Sequence, residues 1–586
     1  MLRLRNILIH HKVAIILAFL TAIIASLPQV YFRIDHKDDG VYQGIELLPD
    51  SPWSARAREV QDGHPNFGAI YYQDGKDDPY LFQPLGSMVV GYMGKIFSLD
   101  INDTLLLSRF VLSFIASLLL YCFVFLFSKE KSTALSSAAV LLLADSILSY
   151  SGLARLFQGV SPDSFLRLSR PVNPAMIYIL LFSFLICFLL FYQKRNIKYG
   201  VLSSLFLGLN FYNYFYSWTY LYAFGALLVL IYLLQKKWQE ALRIGSVFVG
   251  ALIVAIPYFI NLYKTTVHPA YEEASVRFGV VVSHSPVFVG TTVIFSLIIF
   301  LFFFPKENRE RYFFGLALVL APFVTMNQQI LTGKVLQEDH YHWFFHKPVA
   351  FILVCTTVFY VVSRRKMYHY RDLIVTVLVV ASVLVALFVQ MSSYFYDHRD
   401  GGMILLERQK YGEVMDWLNA NSKKEEVVFS NDEISHITVI YTPLNLFYHR
   451  AGIYALSSTE KRLLDTLFTF YILRGVGMKE VDKVFFDERG YISDNVYGIY
   501  YRELLGSYEA IPDEKIQNII DLYKVALRTP RSQWLEQVLT TYNVGYVVWD
   551  KKSDPSWQLD QYIFLNKAVD FGDVSVYTLL NKERIK

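Results

Sequence analysis

"VAIILAFLTAIIASLPQVYF", residues 13–32, decides how the rest of the chain is read. It carries no charge, and a helix of this length at 1.5 Å per residue matches the roughly 30 Å hydrocarbon core of a bilayer. Arg3, Arg5 and Lys12 precede it in the manner of a signal peptide. Its apolar length suits retention, so the stretch reads as a signal anchor. Further apolar runs lie near 104–128, 133–152, 174–193, 198–216, 218–235, 243–262, 286–304, 312–330, 347–363 and 372–391. The expectation is a polytopic α-helical membrane protein of about eleven spans. Composition agrees, because 586 residues with 54% hydrophobic and 18% charged side chains are too apolar for a soluble chain of this size. A net charge of +4 gives no basic excess for nucleic acid. Cys122, Cys187 and Cys355 sit inside apolar runs without metal-ligand or redox spacing, so they read as small packing residues.

Charge alternates between the connections. "SKEKS", "QKRNIK", "QKKWQEALR", "PKENRER" and "SRRKMYHYR" are rich in Lys and Arg, whereas the connections between them are longer, aromatic and acidic. The positive-inside rule then puts the N-terminus and the basic set in the cytoplasm. Loops 33–103, 153–173, 263–285 and 331–346, and everything after about 392, face outward in a plasma (cell) membrane. "PYLFQPLGSMVVGYMGKIF" (79–97) is apolar but short and glycine-rich. Counting it as a span would reverse every later loop, so it is placed as an amphipathic helix on the outer leaflet.

Two domains follow: residues 1–400 form the transmembrane part and 401–586 a soluble extracytoplasmic α/β domain. In the latter, "ERQKYGEVMDWLNANS", "STEKRLLDTLFTFYILRGV" and "RSQWLEQVLTTYN" have helical periodicity, while "EEVVFSN", "GYVVWDK" and "DVSVYTLLN" read as strands. This tail has no Gly-rich phosphate loop, nucleophile elbow or metal spacing.

The outer loops hold the polar residues that chemistry would use. Loop 33–103 is acidic, and Asp50 precedes "SPWSARAREVQDGH", a helix-compatible segment with Pro52 in its first turn and Gly63 as its stop. At a helix start the dipole keeps a carboxylate ionised, fit to accept a proton from a hydroxyl, to ligate a divalent cation such as Mg2+ or Mn2+, or simply to cap the helix. In "GLARLFQGVSPDSFLRLSRPVNPAM", Arg155, Arg167 and Arg170 suit a lipid-linked phosphate or ordinary anionic membrane lipid. "LTGKVLQEDHYHWFF" (331–345) brings His340 and His342 two residues apart. In an extended segment both would point into one cavity, toward a phosphate, a sugar hydroxyl or a metal. The rings of "LNFYNYFYSWTYLY" (209–222) form an interfacial belt or line a cleft.

This layout resembles the GT-C class of membrane glycosyltransferases, in its uncharacterised bacterial branch. The matching features are one span, a long outer loop with an acid ahead of "ARAREVQDGH", the amphipathic 79–97, many further spans and a soluble C-terminal domain. The chain departs from the class in having Ser51 after Asp50 where a paired acid is common, and in lacking a "WWDYG" type segment. The resemblance implies transfer of a sugar from a polyprenyl-phosphate donor to an extracytoplasmic glycan, lipid or protein. It also implies that a first-loop acid is the base or metal ligand. That acid maps to Asp50, with Asp38, Asp39 and Glu46 as competitors. Arg155, Arg167 and Arg170 would then hold the donor phosphate, and His340 and His342 would contact the leaving phosphate or the sugar. The alternatives are a transporter or flippase of lipid-linked sugars, or a non-catalytic scaffold with a partner-binding tail. Against the transporter stand the absence of a convincing internal repeat and the position of the clearest mid-span acid candidate, Asp145, near an outer end.

Overall fold

The computed structural model describes residues 9–37, 40–46, 51–277, 281–335, 338–364, 370–399, 406–499 and 511–580. The chain divides into two compact units. A helical unit comprises Met1–Asp38, Asn102–Ile260 and Ser283–Leu405, and a mixed unit comprises Asp39–Ile101, Asn261–Val282 and Leu406–Lys586.

Every apolar run of the helical unit contains helix, but not every helix is long enough to be a span. Six pass by length and apolarity: Lys12–Asp35, Ile101–Ser128, Ala175–Lys194, Phe215–Leu234, Asp339–Arg364 and Arg371–Phe395. Trp238–Val254 and Ile256–Thr266, bent by 57°, make a seventh if the pair is one span. The expected eleven is therefore too many among the described residues. Lys131–Leu143 and Thr291–Phe303 have 13 residues each, Ile197–Asn210 has 14 and Arg309–Thr325 has 17. Thirteen helical residues rise only about 20 Å, well short of the hydrocarbon core. Apolar composition had extended these runs across residues that the backbone uses for turns, as at Asp145–Leu148, where a 3-10 turn follows Leu143.

Small residues let these helices approach closely. At Gly208 a Cβ would lie 2.4 Å from Val254 Cβ, so the helix Ile197–Asn210 fits against Trp238–Val254 only without a side chain there. Lys131–Leu143 packs on both Lys347–Arg364 and Arg371–Arg399, and Lys12–Asp35 packs on Arg371–Arg399.

The mixed unit is built around a five-stranded sheet: β1 (Val427–Phe429), β2 (Asn445–Leu446), β3 (Val544–Asp550), β4 (Leu565–Phe571) and β5 (Val574–Leu579). The order is β2-β1-β3-β5-β4. β1 pairs in parallel with β2 and β3, and β3 and β4 pair antiparallel with β5. β3 is buried along its whole length, as a central strand covered on both faces requires. Phe429, Phe447, Phe468, Tyr471, Tyr523 and Trp557 fill the core between sheet and helices.

The tail reads in sequence as a domain of its own, yet the unit also takes in the first loop. Leu446 N donates to Tyr71 O at 2.7 Å, and Gln409 Nε2 donates to Ile45 O at 2.8 Å. Buried Arg277 donates to Val496 O at 3.2 Å. The helix Ser51–Asp62 starts where Pro52 predicts and packs on Leu85–Phe97. At Gly91 a Cβ would meet Val60 Cβ at 2.5 Å. Val89, Tyr92, Ile96 and Phe97 leave the other side of Leu85–Phe97 apolar and exposed, as an amphipathic surface helix requires.

Candidate functional site

Arg167 stands on a short turn, Arg167–Ser169, that the helical unit holds from three directions. Fully buried Gln390, on Arg371–Arg399, accepts from Leu166 N at 3.1 Å and donates to Ser169 Oγ and to Ile24 O, both at 2.7 Å. Fully buried Arg109 donates from Nε to Ser169 O at 2.7 Å, and Ser108 Oγ donates to Pro171 O at 2.8 Å. Buried polar side chains in apolar surroundings are kept where they have backbone partners to satisfy. Here those partners are the carbonyls and amides of the loop that carries Arg167, so the loop is fixed before any ligand arrives.

Around Arg167 the unit assembles Asp145, Trp343 and Lys347. Arg167 Nε lies 3.5 Å from Asp145 Oδ2, and Lys347 Nζ lies 3.7 Å from the same oxygen. Lys347 Nζ also donates to the Asp145 carbonyl at 2.5 Å. The Trp343 ring carries both cations, with Arg167 Cζ 4.0 Å and Lys347 Nζ 4.8 Å from its centroid. Asp163 is close enough to act electrostatically on Lys347. The Lys347 side chain is 6% exposed and that of Arg167 is 26% exposed. Lys347 is thus the buried cation that anchors Asp145, and Arg167 the reachable one, its guanidinium laid on an indole face.

His340 and His342 do not share a cavity. The connection is helical rather than extended: Glu338–Tyr341 is α-helix and His342–His346 a π-helical turn running into Lys347–Arg364. On a helix, residues two apart point in divergent directions. The His340 ring stacks on Tyr216, with centroids 4.7 Å apart, and its Nδ1 is hydrogen-bonded to the Tyr214 hydroxyl. Tyr341, between them, is buried, with its hydroxyl 2.7 Å from Thr219 Oγ1. His342 lies on the Trp343 side, its ring centroid 5.3 Å from that of Trp343. The stretch 209–222 therefore packs part of its rings onto the 340–346 segment.

The other expected residues are dispersed. Arg155 is exposed on the helix Tyr150–Phe157, and Arg170 is exposed after the Arg167 turn. Glu46, in the mixed unit, is buried; its Oε1 accepts from Tyr42 at 3.3 Å and its N–H donates to Tyr441 Oη at 2.9 Å. Asp38, Asp39 and Asp50 lie outside the described residues. Sequence reading missed Lys347 as a partner of Arg167, although a lysine beginning an apolar run on the acidic side was a visible signal. It also missed Gln390 and Arg109, which no local motif marks.

The mixed unit holds a second charged cluster that sequence reading did not single out. Glu59 Oε1 accepts from Lys76 Nζ at 2.8 Å, and His64 Nε2 lies 2.7 Å from Glu425 Oε1. Asn445 Nδ2 donates to Glu425 Oε2 at 3.0 Å. Burial pushes Glu59 up to about 7 against the pull of Lys76. Among the described residues no group of three or more His, Cys, Asp or Glu is placed to hold a metal ion.

No family model and no curated protein matches the chain. Among solved structures it is similar to the oligosaccharyltransferase of Archaeoglobus fulgidus. The apo form aligns over 91% of this chain and 69% of that one, at 13% identity and a TM-score of 0.44. The form tethered by a disulfide to an acceptor peptide with the NVT sequon aligns over 93% and 69%, at 13% identity and 0.47. Similarity at this level leaves fold class and chemistry to be argued from the residues themselves.

Proposed function

We propose that the protein is a membrane glycosyltransferase of GT-C type, moving a sugar from a polyprenyl-phosphate donor to an acceptor hydroxyl on the extracytoplasmic side of the plasma membrane. The observation that carries this reading is the pair Arg167 and Lys347 on Trp343, each also paired with Asp145, with Lys347 and Trp343 in the apolar helix Asp339–Arg364. A guanidinium stacked on a ring keeps N–H donors at its edge, the geometry that grips phosphate oxygens at the headgroup level of a bilayer.

In the reaction the acceptor oxygen attacks the anomeric carbon, and the bond from that carbon to the phosphate oxygen breaks. The electron pair leaves on the phosphate, and the acceptor proton passes to a first-loop carboxylate, which we assign to Asp50. Arg167 meets the charge that grows on the leaving phosphate, which is where preorganised cations contribute most. Lys347 holds Asp145, and through it the guanidinium, in place. His342, on the Trp343 side, is the histidine of the pair that we assign to the donor.

Membranes containing the protein, supplied with labelled polyprenyl-phosphate sugars, should transfer label to an acceptor. Arg167→Gln and Asp50→Asn should each depress that transfer at unchanged protein level. Movement of the donor between leaflets with no sugar transferred would replace this reading by the flippase one.

A further inference from the structure

A groove of about 420 Å³ opens in the mixed unit between the first-loop stretch 77–88 and residues 261–264 of the helix Ile256–Thr266. One side chain clasps its two walls together: Asn261 Oδ1 accepts from Tyr80 N at 3.2 Å, and Asn261 Nδ2 donates to Tyr80 O at 2.9 Å. Asp77, Asp78 and Lys264 line the groove, so it offers both signs of charge. Among the described residues neither Asp77 nor Lys264 forms an ion pair, and the neighbouring Lys76 is taken by Glu59 at 2.8 Å. Asp78 has His268 Nε2 at 3.9 Å. His268 Nδ1 accepts from Ala270 N at 3.2 Å, which leaves the ring proton on Nε2, toward Asp78. Burial pushes the Asp78 carboxyl up against the pull of His268, so a cation arriving there meets an underhydrated acceptor.

Both walls continue into exposed apolar side chains. Met88 lines the groove and Val89, Tyr92 and Ile96 follow on its helix; Lys264 lies between Leu262 and Tyr263 on one side and Val267 on the other. A charged recess rimmed by apolar side chains suits the boundary of a bilayer, where charged headgroups meet acyl chains. The charges then select the headgroup. A purely anionic one would meet Lys264 but face two carboxylates. A quaternary ammonium has no N–H to give and is held by a cage of rings, of which this lining has Tyr80 alone. A primary ammonium brings three N–H donors to the carboxylates and leaves its phosphate for the lysine. The volume lies within the roughly 300–1,000 Å³ of small-molecule sites. We propose that this groove binds one phosphatidylethanolamine headgroup, its ammonium on Asp77 and Asp78, its phosphate on Lys264, and its acyl chains along the exposed side of Leu85–Phe97. The proposal uses the amphipathic character of that helix and does not depend on sugar transfer.

The full-length protein in detergent is offered dioctanoyl phosphatidylethanolamine, phosphatidylcholine or phosphatidylglycerol, or water-soluble glycerophosphoethanolamine, and bound copies are counted by native mass spectrometry. Phosphatidylethanolamine should bind about tenfold or more tightly than the other two lipids, because only its headgroup donates charged hydrogen bonds to the carboxylates. Asp77→Asn should reduce that preference, and Lys264→Gln should weaken phosphatidylethanolamine and phosphatidylcholine together, since both carry the phosphate. Both side chains are exposed, so the melting temperature should stay where it is in each variant. Equal binding of the three lipids, or a preference that survives in the Asp77→Asn, Lys264→Gln double variant, would overturn the proposal. Glycerophosphoethanolamine binding as tightly as the lipid would overturn the lipid as the source and assign the groove to a soluble phosphoethanolamine group.

Discussion

Glu59→Gln tests whether the buried carboxyl of the mixed unit holds its proton near neutrality. Its side chain is 13% exposed, and burial lifts its pKa to about 7 although Lys76 Nζ is 2.8 Å away. In the unfolded chain a glutamate titrates near 4.3. Between those values the folded protein keeps a proton that the unfolded chain has lost. The stabilisation from this group is therefore full below about pH 4.5 and is lost as pH rises through about 7. A shift of about 2.5 units at 1.36 kcal/mol per unit is roughly 3 kcal/mol. Glutamine keeps the shape but does not ionise, so the stability difference, wild type minus variant, should fall by roughly 3 kcal/mol between pH 4.5 and pH 8. At about 2–4 °C per kcal/mol, that is a relative change of about 6–12 °C in melting temperature. The paired comparison is needed because other groups act in the opposite sense. Burial lowers His449 to about 3 and His436 to about 4, so their contribution is present above about pH 6.5 and is lost as the solution is acidified. Melts of both proteins at unit steps of pH read the difference directly. A difference that stays flat, or grows with pH, would show Glu59 ionised throughout and refute the reasoning.

Asp50→Asn should lower transfer by about 10²- to 10⁴-fold with donor binding unchanged, as expected for loss of a general base; normal turnover would move the role to Asp38, Asp39 or Glu46. His340→Ala removes the Tyr216 stack and the Tyr214 hydrogen bond, so it should lower the melting temperature with activity per folded molecule intact, while His342→Ala should slow transfer at unchanged stability. A stable, fully active double variant would contradict both assignments. Residues 407–586 expressed alone should fail to melt cooperatively, because Leu446, His449 and Arg462 lose Tyr71 and Tyr72; circular dichroism on the isolated segment checks this. A sharp melt would show that the tail is self-sufficient.

The apolar runs were legible because hydropathy is local, and each of them contains helix. Their lengths were not, since where a helix stops depends on turns such as Asp145–Leu148 that composition does not mark. The helix after Pro52 and the buried strand Val544–Asp550 were legible for the same local reason. Arg167 was legible as a candidate for phosphate from its chemistry and its neighbourhood of aromatic outer loops. Its partners were not, because Asp145 and Lys347 are more than two hundred positions apart in sequence and meet only through helix packing. The histidine pair was misread for a related reason. A spacing of two means one face only in extended chain, and the propensity of "EDHYHW" did not betray that it opens a helix. The joining of the first loop to the tail rests on backbone hydrogen bonds such as Leu446 to Tyr71, which any side chains permit and no pattern records.

The central claim is that Arg167 grips a lipid-linked phosphate, and equilibrium binding of a polyprenyl phosphate to the purified protein, read by native mass spectrometry, tests it most directly. A hydrogen bond to a charged group contributes about 1.5–3 kcal/mol, so Arg167→Gln should weaken binding by roughly 10- to 150-fold. Arg155→Gln, on the exposed helix Tyr150–Phe157, should change it little. Equal affinity for wild type and Arg167→Gln would contradict the account.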